Sequence, residues 1–274
     1  MLLDATCHLE YVATEEVSAI FMLRPRSGWA QWVMREEFDI KPRVPVVEYT
    51  DLYGNCCQRL VMPKGDFSFT MKCRVWAPSD LDSSPLAELQ SVSQLPVEVV
   101  HYLLPSRYCQ SDKLGGLASS IIGTTPHNHH QVARIRTWVH DNITYERGSS
   151  DSSTSALETA NTRRGVCRDF AHLGIALCRA INVPARMVVG FVHNLDPMDM
   201  HAWFEAFIGG RWYTFDAIED APGGGRIVIA YGRDAADVAL ASLYGAVNGT
   251  TMQVDVEHVT EEHAEKITAH LKAT

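Results

Sequence analysis

Through the first hundred residues, apolar and polar positions alternate in short runs broken by turn-forming residues. Residues 5–13, 45–51, 58–62 and 66–73 read as strands, with 74–77 as a further short one. Asp51-Leu52-Tyr53-Gly54-Asn55 and Pro63-Lys64-Gly65 supply turns between them. Strands at this spacing predict an antiparallel β-sandwich over residues 1–100. Residues 77–96, rich in Pro, Ser and Asp, read as a linker or long loop. Beyond it the apolar spacing lengthens. Val132, Ile135, Val139 and Ile143 predict a helix over 129–142. A second helix begins at Cys167, carries Phe170, Leu173, Leu177 and Ile181 on one face, and stops at Asn182-Val183-Pro184. Strand runs follow at 185–191, 201–208, 211–216 and 226–231. A late run at 252–258 is expected to extend the same sheet, and 261–272 to close the chain as a helix. Helices first and antiparallel strands afterwards indicate an α+β domain over residues 101–274.

The chain has 274 residues and a formal net charge of -9, with no basic stripe. That charge argues against nucleic acid or an anionic membrane as partner. No apolar run approaches the roughly 20 residues of a spanning helix. The first residues, Met1-Leu2-Leu3-Asp4, offer neither a basic n-region nor a long apolar h-region, so no signal peptide is expected. Seven cysteines at irregular spacing, two of them adjacent at Cys56-Cys57, read as reduced thiols. A cytoplasmic location and no metal or other cofactor are therefore expected.

The candidate chemistry centres on Cys167. A thiol in the first turn of a helix meets unpaired N–H groups and the positive end of the helix dipole, and both favour thiolate, the nucleophilic form. A two-residue turn at Gly209-Gly210 would set Ile208 opposite Arg211. His201 and Asp216 then become diagonal neighbours on one sheet face, about 7–8 Å apart at the backbone. An imidazole in that position can take the thiol proton, and the carboxylate can hold the ring. The Cys167 N–H is a natural oxyanion donor. Alone, each residue has an ordinary structural explanation; the ordered trio is far less easily explained so.

Other signals read as structural. Cys178 lies on the apolar helix face, and Cys7, Cys56, Cys57, Cys73 and Cys109 look like core or strand fillers. His127-Asn128-His129-His130 lacks same-face metal spacing and reads as capping or solvated. Asp169 can cap the first turn of the cysteine helix, and His172 reads as structural. Gly223-Gly224-Gly225 reads as a flexible turn bordering the site, Arg233 and Asp234 are candidates for its neighbourhood, and Trp203 and Trp212 read as core aromatics.

Residues 161–217 closely resemble the core of the transglutaminase-like superfamily of papain-type cysteine enzymes. The matching pieces are Gly165-Val166-Cys167-Arg168-Asp169-Phe170-Ala171, Gly174-Ile175-Ala176-Leu177-Cys178-Arg179-Ala180, Val183-Pro184-Ala185-Arg186, His201-Ala202-Trp203-Phe204-Glu205 and Trp212-Tyr213-Thr214-Phe215-Asp216-Ala217. The earlier Tyr49–Asn55 segment and the Tyr102–Tyr108 segment resemble its bacterial members, as does Gly232-Arg233-Asp234-Ala235-Ala236-Asp237-Val238. The resemblance implies Cys167 as nucleophile, His201 as base and Asp216 as the orienting acid. It also implies an N-terminal β-domain ahead of a papain-like core. Calcium-dependent animal members carry Trp directly after the nucleophile and another in the preceding loop. This chain has Arg168, and no Trp between 148 and 156, so a calcium-activated cross-linker is not expected. The expected activity is cleavage of an amide or peptide bond in a peptide or protein through a thioester. An amine-accepting transglutaminase, a non-catalytic peptide-binding module and a zinc enzyme using Cys167 and His201 remain as alternatives.

Overall fold

The computed structural model describes residues 1–28, 31–219 and 223–259; the helix expected at 261–272 lies outside them. The N-terminal part is a sandwich of two four-stranded antiparallel sheets. Six of its eight strands are β1 (Leu2–Ala13), β2 (Val17–Arg24), β3 (Trp32–Lys41), β4 (Val46–Thr50), β5 (Cys56–Met62) and β6 (Gly65–Trp76). Alternation drives the layer: in β6, and in β1 from Leu3 to Leu9, every second side chain is buried, which is what a pleated strand with one wet face requires. Phe21, Phe67 and Phe69 fill the space between the sheets, with Phe21 and Phe69 stacked at 4.8 Å.

The second part contains α1 (Val97–Val100), α2 (Gly115–Ile122), α3 (His129–Asn142), β7 (Thr144–Tyr145), α4 (Ala156–Thr162), β8 (Arg164–Gly165) and α5 (Cys167–Ala180). Then come β9 (Ala185–Val192), β10 (His201–Ile208), β11 (Arg211–Phe215) and β12 (Arg226–Gly232), hydrogen-bonded in the order β11-β10-β9-β12 with every pair antiparallel. The fold is thus α+β, as expected. Helix α5 is buried almost all round and packs on β10 and β9. A Cβ at Gly174 would stand 2.5 Å from the Phe204 ring, so only glycine lets helix and sheet approach this closely. The predicted turn is present: Gly209 and Gly210 both take positive φ, and Ile208 pairs with Arg211.

The late strand corrects one expectation. The last two described strands are β13 (Ala241–Tyr244) and β14 (Val247–His258). Instead of extending the core sheet, β14 pairs with β1 from Leu3↔His258 to Ala13↔Val247, and β13 pairs with β2. The chain therefore closes back onto the sandwich it started from.

Two side chains of the sandwich region also dock onto the core sheet. Strand β12 is an edge strand, and its outward backbone groups need partners. Gln31 accepts from Val228 N–H at 2.8 Å and donates to Val228 O at 2.7 Å. Asn55 does the same for Tyr231, at 2.8 Å in each direction. Both amides are buried and stand in for the missing neighbouring strand.

Candidate active site

Cys167 is the first residue of α5, reached from the short parallel pair of β7 and β8. The turn that delivers it is tight. Asp169 is fully buried and accepts the Val166 N–H at 2.8 Å, tying off one free donor of the helix start. It also accepts from the Ser150 hydroxyl and, at 3.2 Å, from Arg168 Nη2. A Cβ at Gly165 would collide with the Asp169 side chain at 2.7 Å, which explains the glycine there. Arg168 donates to Asp151 O at 2.6 Å, so the residue after the thiol clamps the preceding polar loop to the helix. The capping role expected of Asp169 is what the structure contains.

His201 opens β10 and Asp216 follows β11. The β10–β11 ladder stops at Phe204↔Phe215, which frees the Asp216 backbone. Its carbonyl accepts from Arg136 Nε of α3 at 2.6 Å, and the next carbonyl, Ala217 O, from His140 Nδ1 at 3.0 Å. Helix α3 thereby fixes the segment carrying the carboxylate. The His201 Nε2 donates to Asp216 Oδ2 at 2.7 Å, and both side chains are buried. Cys167, only partly buried, stands near enough to the same imidazole to act on its charge; with Nε2 committed to Asp216, Nδ1 is the free ring nitrogen. All three expected residues are brought together.

The electrostatics follow from that arrangement. Burial alone would push the His201 pKa down, but the hydrogen bond it donates to Asp216 and the nearby Cys167 sulfur outweigh it and raise the value to about 9. For Asp216, burial acts upward and is overcome by His201, by Arg226 and by the Ile218 N–H, so the carboxyl sits well below its usual range. Arg226 went unrecognised in the sequence. Its Nη1 donates to the same Asp216 Oδ2 at 2.8 Å, its Nε to Gly223 O at 3.1 Å, and its guanidinium lies 5.1 Å from the Trp203 ring centroid. An arginine opening an otherwise apolar strand, ten residues after the aspartate, was the available signal.

Beside Arg226, a cavity of about 930 Å³ opens over the sheet face that carries Trp203, Glu205 and Phe207. Arg186 lies within it, paired with Glu205 at 2.6 Å and held between the rings of Trp212 and Tyr231 at 4.2 and 3.8 Å. Trp203 is buried as expected, whereas Trp212 lines the cavity. Gly224 and Gly225 lie against the 77–80 segment, Gly225 N–H donating to Pro78 O at 2.8 Å. Arg233 and Asp234 do not join the thiol end. Arg233 pairs with Asp237 at 2.9 Å, its carbonyl accepts from Arg179 near the far end of α5, and Asp234 accepts the Tyr108 N–H. His172 is buried, stacks on Tyr108 and accepts from Ala235 N–H at 3.1 Å. Asn128 caps α3 by accepting from His130 N–H at 3.0 Å, and His129 packs on Tyr213 and Phe215. Among the described residues no group of three or more His, Cys, Asp or Glu is placed to hold a metal ion.

Residues 115–217 match the family model of the transglutaminase-like superfamily, a span that contains Cys167, His201 and Asp216. A crystal structure from Cytophaga hutchinsonii, provisionally named a cysteine protease, is 37% identical, covers 94% of this chain and 90% of its own, and superposes with a TM-score of 0.88. The chain belongs to the transglutaminase-like superfamily. An uncharacterized protein of Mycobacterium leprae is 26% identical over 265 residues, 90% of this chain and 94% of that protein. An uncharacterized protein of Mycobacterium tuberculosis is 35% identical over 115 residues, 36% of this chain and 37% of that protein. The likeness to the Cytophaga structure spans both the superfamily core and the sandwich. No described helix is long and apolar enough to cross a membrane.

Proposed function

We propose that the chain is a cysteine-dependent acyl-transfer enzyme that hydrolyses an amide or peptide bond, with Cys167, His201 and Asp216 as its catalytic residues. One observation carries the reading: a buried imidazole hydrogen-bonds a buried carboxylate at 2.7 Å, with the thiol of a helix start close to the same ring. Transfer of the thiol proton to His201 leaves a thiolate–imidazolium pair. The thiolate attacks the carbonyl carbon, and the oxyanion is received by the Cys167 N–H at the positive end of α5. Collapse breaks the C–N bond, His201 gives its proton to the leaving amine, and a thioester on Cys167 remains. His201 then takes a proton from water as the water attacks, releasing the carboxylate product and restoring the thiol. Asp216 keeps the ring oriented throughout and stabilises its charged form.

The cavity beside Arg226 and Trp203 adjoins the catalytic residues through Arg226, without being lined by them, and its aromatic walls at Trp212 and Tyr231 suit side-chain packing. The seven unpaired cysteines support action in a reducing, cytoplasmic setting. The test is incubation of the full chain with peptide libraries, with and without a primary amine, against Cys167→Ala. Cleavage products from the parent chain alone are expected. Product formed only when amine is supplied would make it a transamidase, and equal product from both proteins would remove the enzyme reading.

A further inference from the structure

We propose that Arg226 is a positioning residue of this site: by sharing the Asp216 carboxylate with His201, it fixes where that carboxylate points and moderates the charge the imidazole receives. The inference rests on the acyl-transfer reading above and adds a fourth residue to it.

Arg226 is 6% exposed, opens β12, and places Nη1 2.8 Å from the oxygen that His201 also uses. Its Nε donates to Gly223 O and its Nη2 to Glu219, and its plane faces Trp203. The guanidinium therefore has one orientation, which is anchored from outside as well. Strand β12 is held by Gln31 at Val228 and by Asn55 at Tyr231, so the sandwich region braces the strand that delivers Arg226. The carboxylate oxygen sits between two cationic groups. An unopposed Asp216 would hold the His201 proton more tightly, and that proton must leave for the departing amine. A guanidinium beside it weakens that hold, because two like charges separated by roughly 5 Å through one oxygen repel each other.

Among the described residues, the other charged or titratable groups around the pair have partners of their own. Cys167 comes from α5; Arg136 and His140 of α3 hydrogen-bond the Asp216 and Ala217 carbonyls. Glu219, from the loop after β11, contacts Arg226 itself, while Arg168 is engaged with Asp151 and Asp169. Glu205 is paired with Arg186, and Asp199, just before β10, with Arg147.

The test is an NMR titration of the His201 ring in the full chain, assigned with His201→Gln, for the parent, Arg226→Gln, Arg226→Met and Arg226→Lys. Circular dichroism checks that each variant folds. Removal of the charge is expected to move the His201 midpoint upward by roughly one to two pH units, with lysine restoring most of the parent value. No shift in the neutral variants, or the same shift in Arg226→Lys, overturns the proposal. If the parent chain and Cys167→Ala give equal product from the peptide libraries, the acyl-transfer reading fails instead, which separates the two outcomes. If Arg226→Met does not fold, Arg226→Gln against Arg226→Lys decides alone.

Discussion

The buried imidazole makes a measurable demand on stability. His201 titrates at about 9 in the folded chain against an ordinary 6.5, so folding favours its protonated form. The stabilisation is fully present below pH 6.5, where the unfolded chain is also protonated, and it disappears as pH rises through 9. A rise of about 2.5 units at 1.36 kcal/mol each corresponds to about 3 kcal/mol, with no discount for solvent because the ring is 3% exposed. The perturbation is His201→Gln, which keeps a polar side chain of similar reach and cannot take the proton. Urea unfolding of both proteins under reducing conditions, from pH 6 to 9.5, gives the stability gap between them. Ionisation of the other cysteines occurs in both proteins and cancels in that gap. The gap is expected to shrink by about 3 kcal/mol across the range, and to shrink less in a Cys167→Ala background, since the sulfur also supports the charged ring. A gap that stays constant, or widens with pH, refutes the reasoning.

Replacing Asn55 by Ala strips both backbone partners from Tyr231 and leaves buried polar groups unpaired, so a loss of about 2 kcal/mol is expected in thermal or urea unfolding. Gly190→Ala would bring a Cβ to 2.0 Å from the Ile227 carbonyl oxygen; a cost of about 1–3 kcal/mol is expected, and unchanged stability would contradict this close approach of β9 and β12. Asp169→Ala removes the acceptor that ties off the start of α5. It should cost about 1–2 kcal/mol and slow alkylation of Cys167, as read by mass spectrometry of the labelled peptide.

Much of the site was legible because it depends on local rules. The glycine pair dictates the hairpin register, and the register puts His201 and Asp216 on one face. The helix start at Cys167 follows from its apolar spacing. What escaped depends on partners far away in sequence. Strand β2 is a nearly unbroken apolar run, Ala19-Ile20-Phe21-Met22-Leu23, which hides its alternation. Strand β3 is an edge strand with largely wet residues, Arg35-Glu36-Glu37 among them, and does not look like core. The return of β14 to β1 joins residues some 250 positions apart, a pairing that no local pattern encodes. Asn55 reads as a turn former because it is one; its second task, at Tyr231, is visible only in three dimensions. Arg226 was missed for the same reason, since its meaning comes from Asp216 across a loop.

The most direct test of the central claim is the rate at which iodoacetamide modifies Cys167 at pH 7 in the parent chain and in His201→Ala. A thiol paired with an imidazole supplies far more thiolate than an isolated one, so the parent is predicted to react at least about tenfold faster. Equal rates in the two proteins would contradict the account.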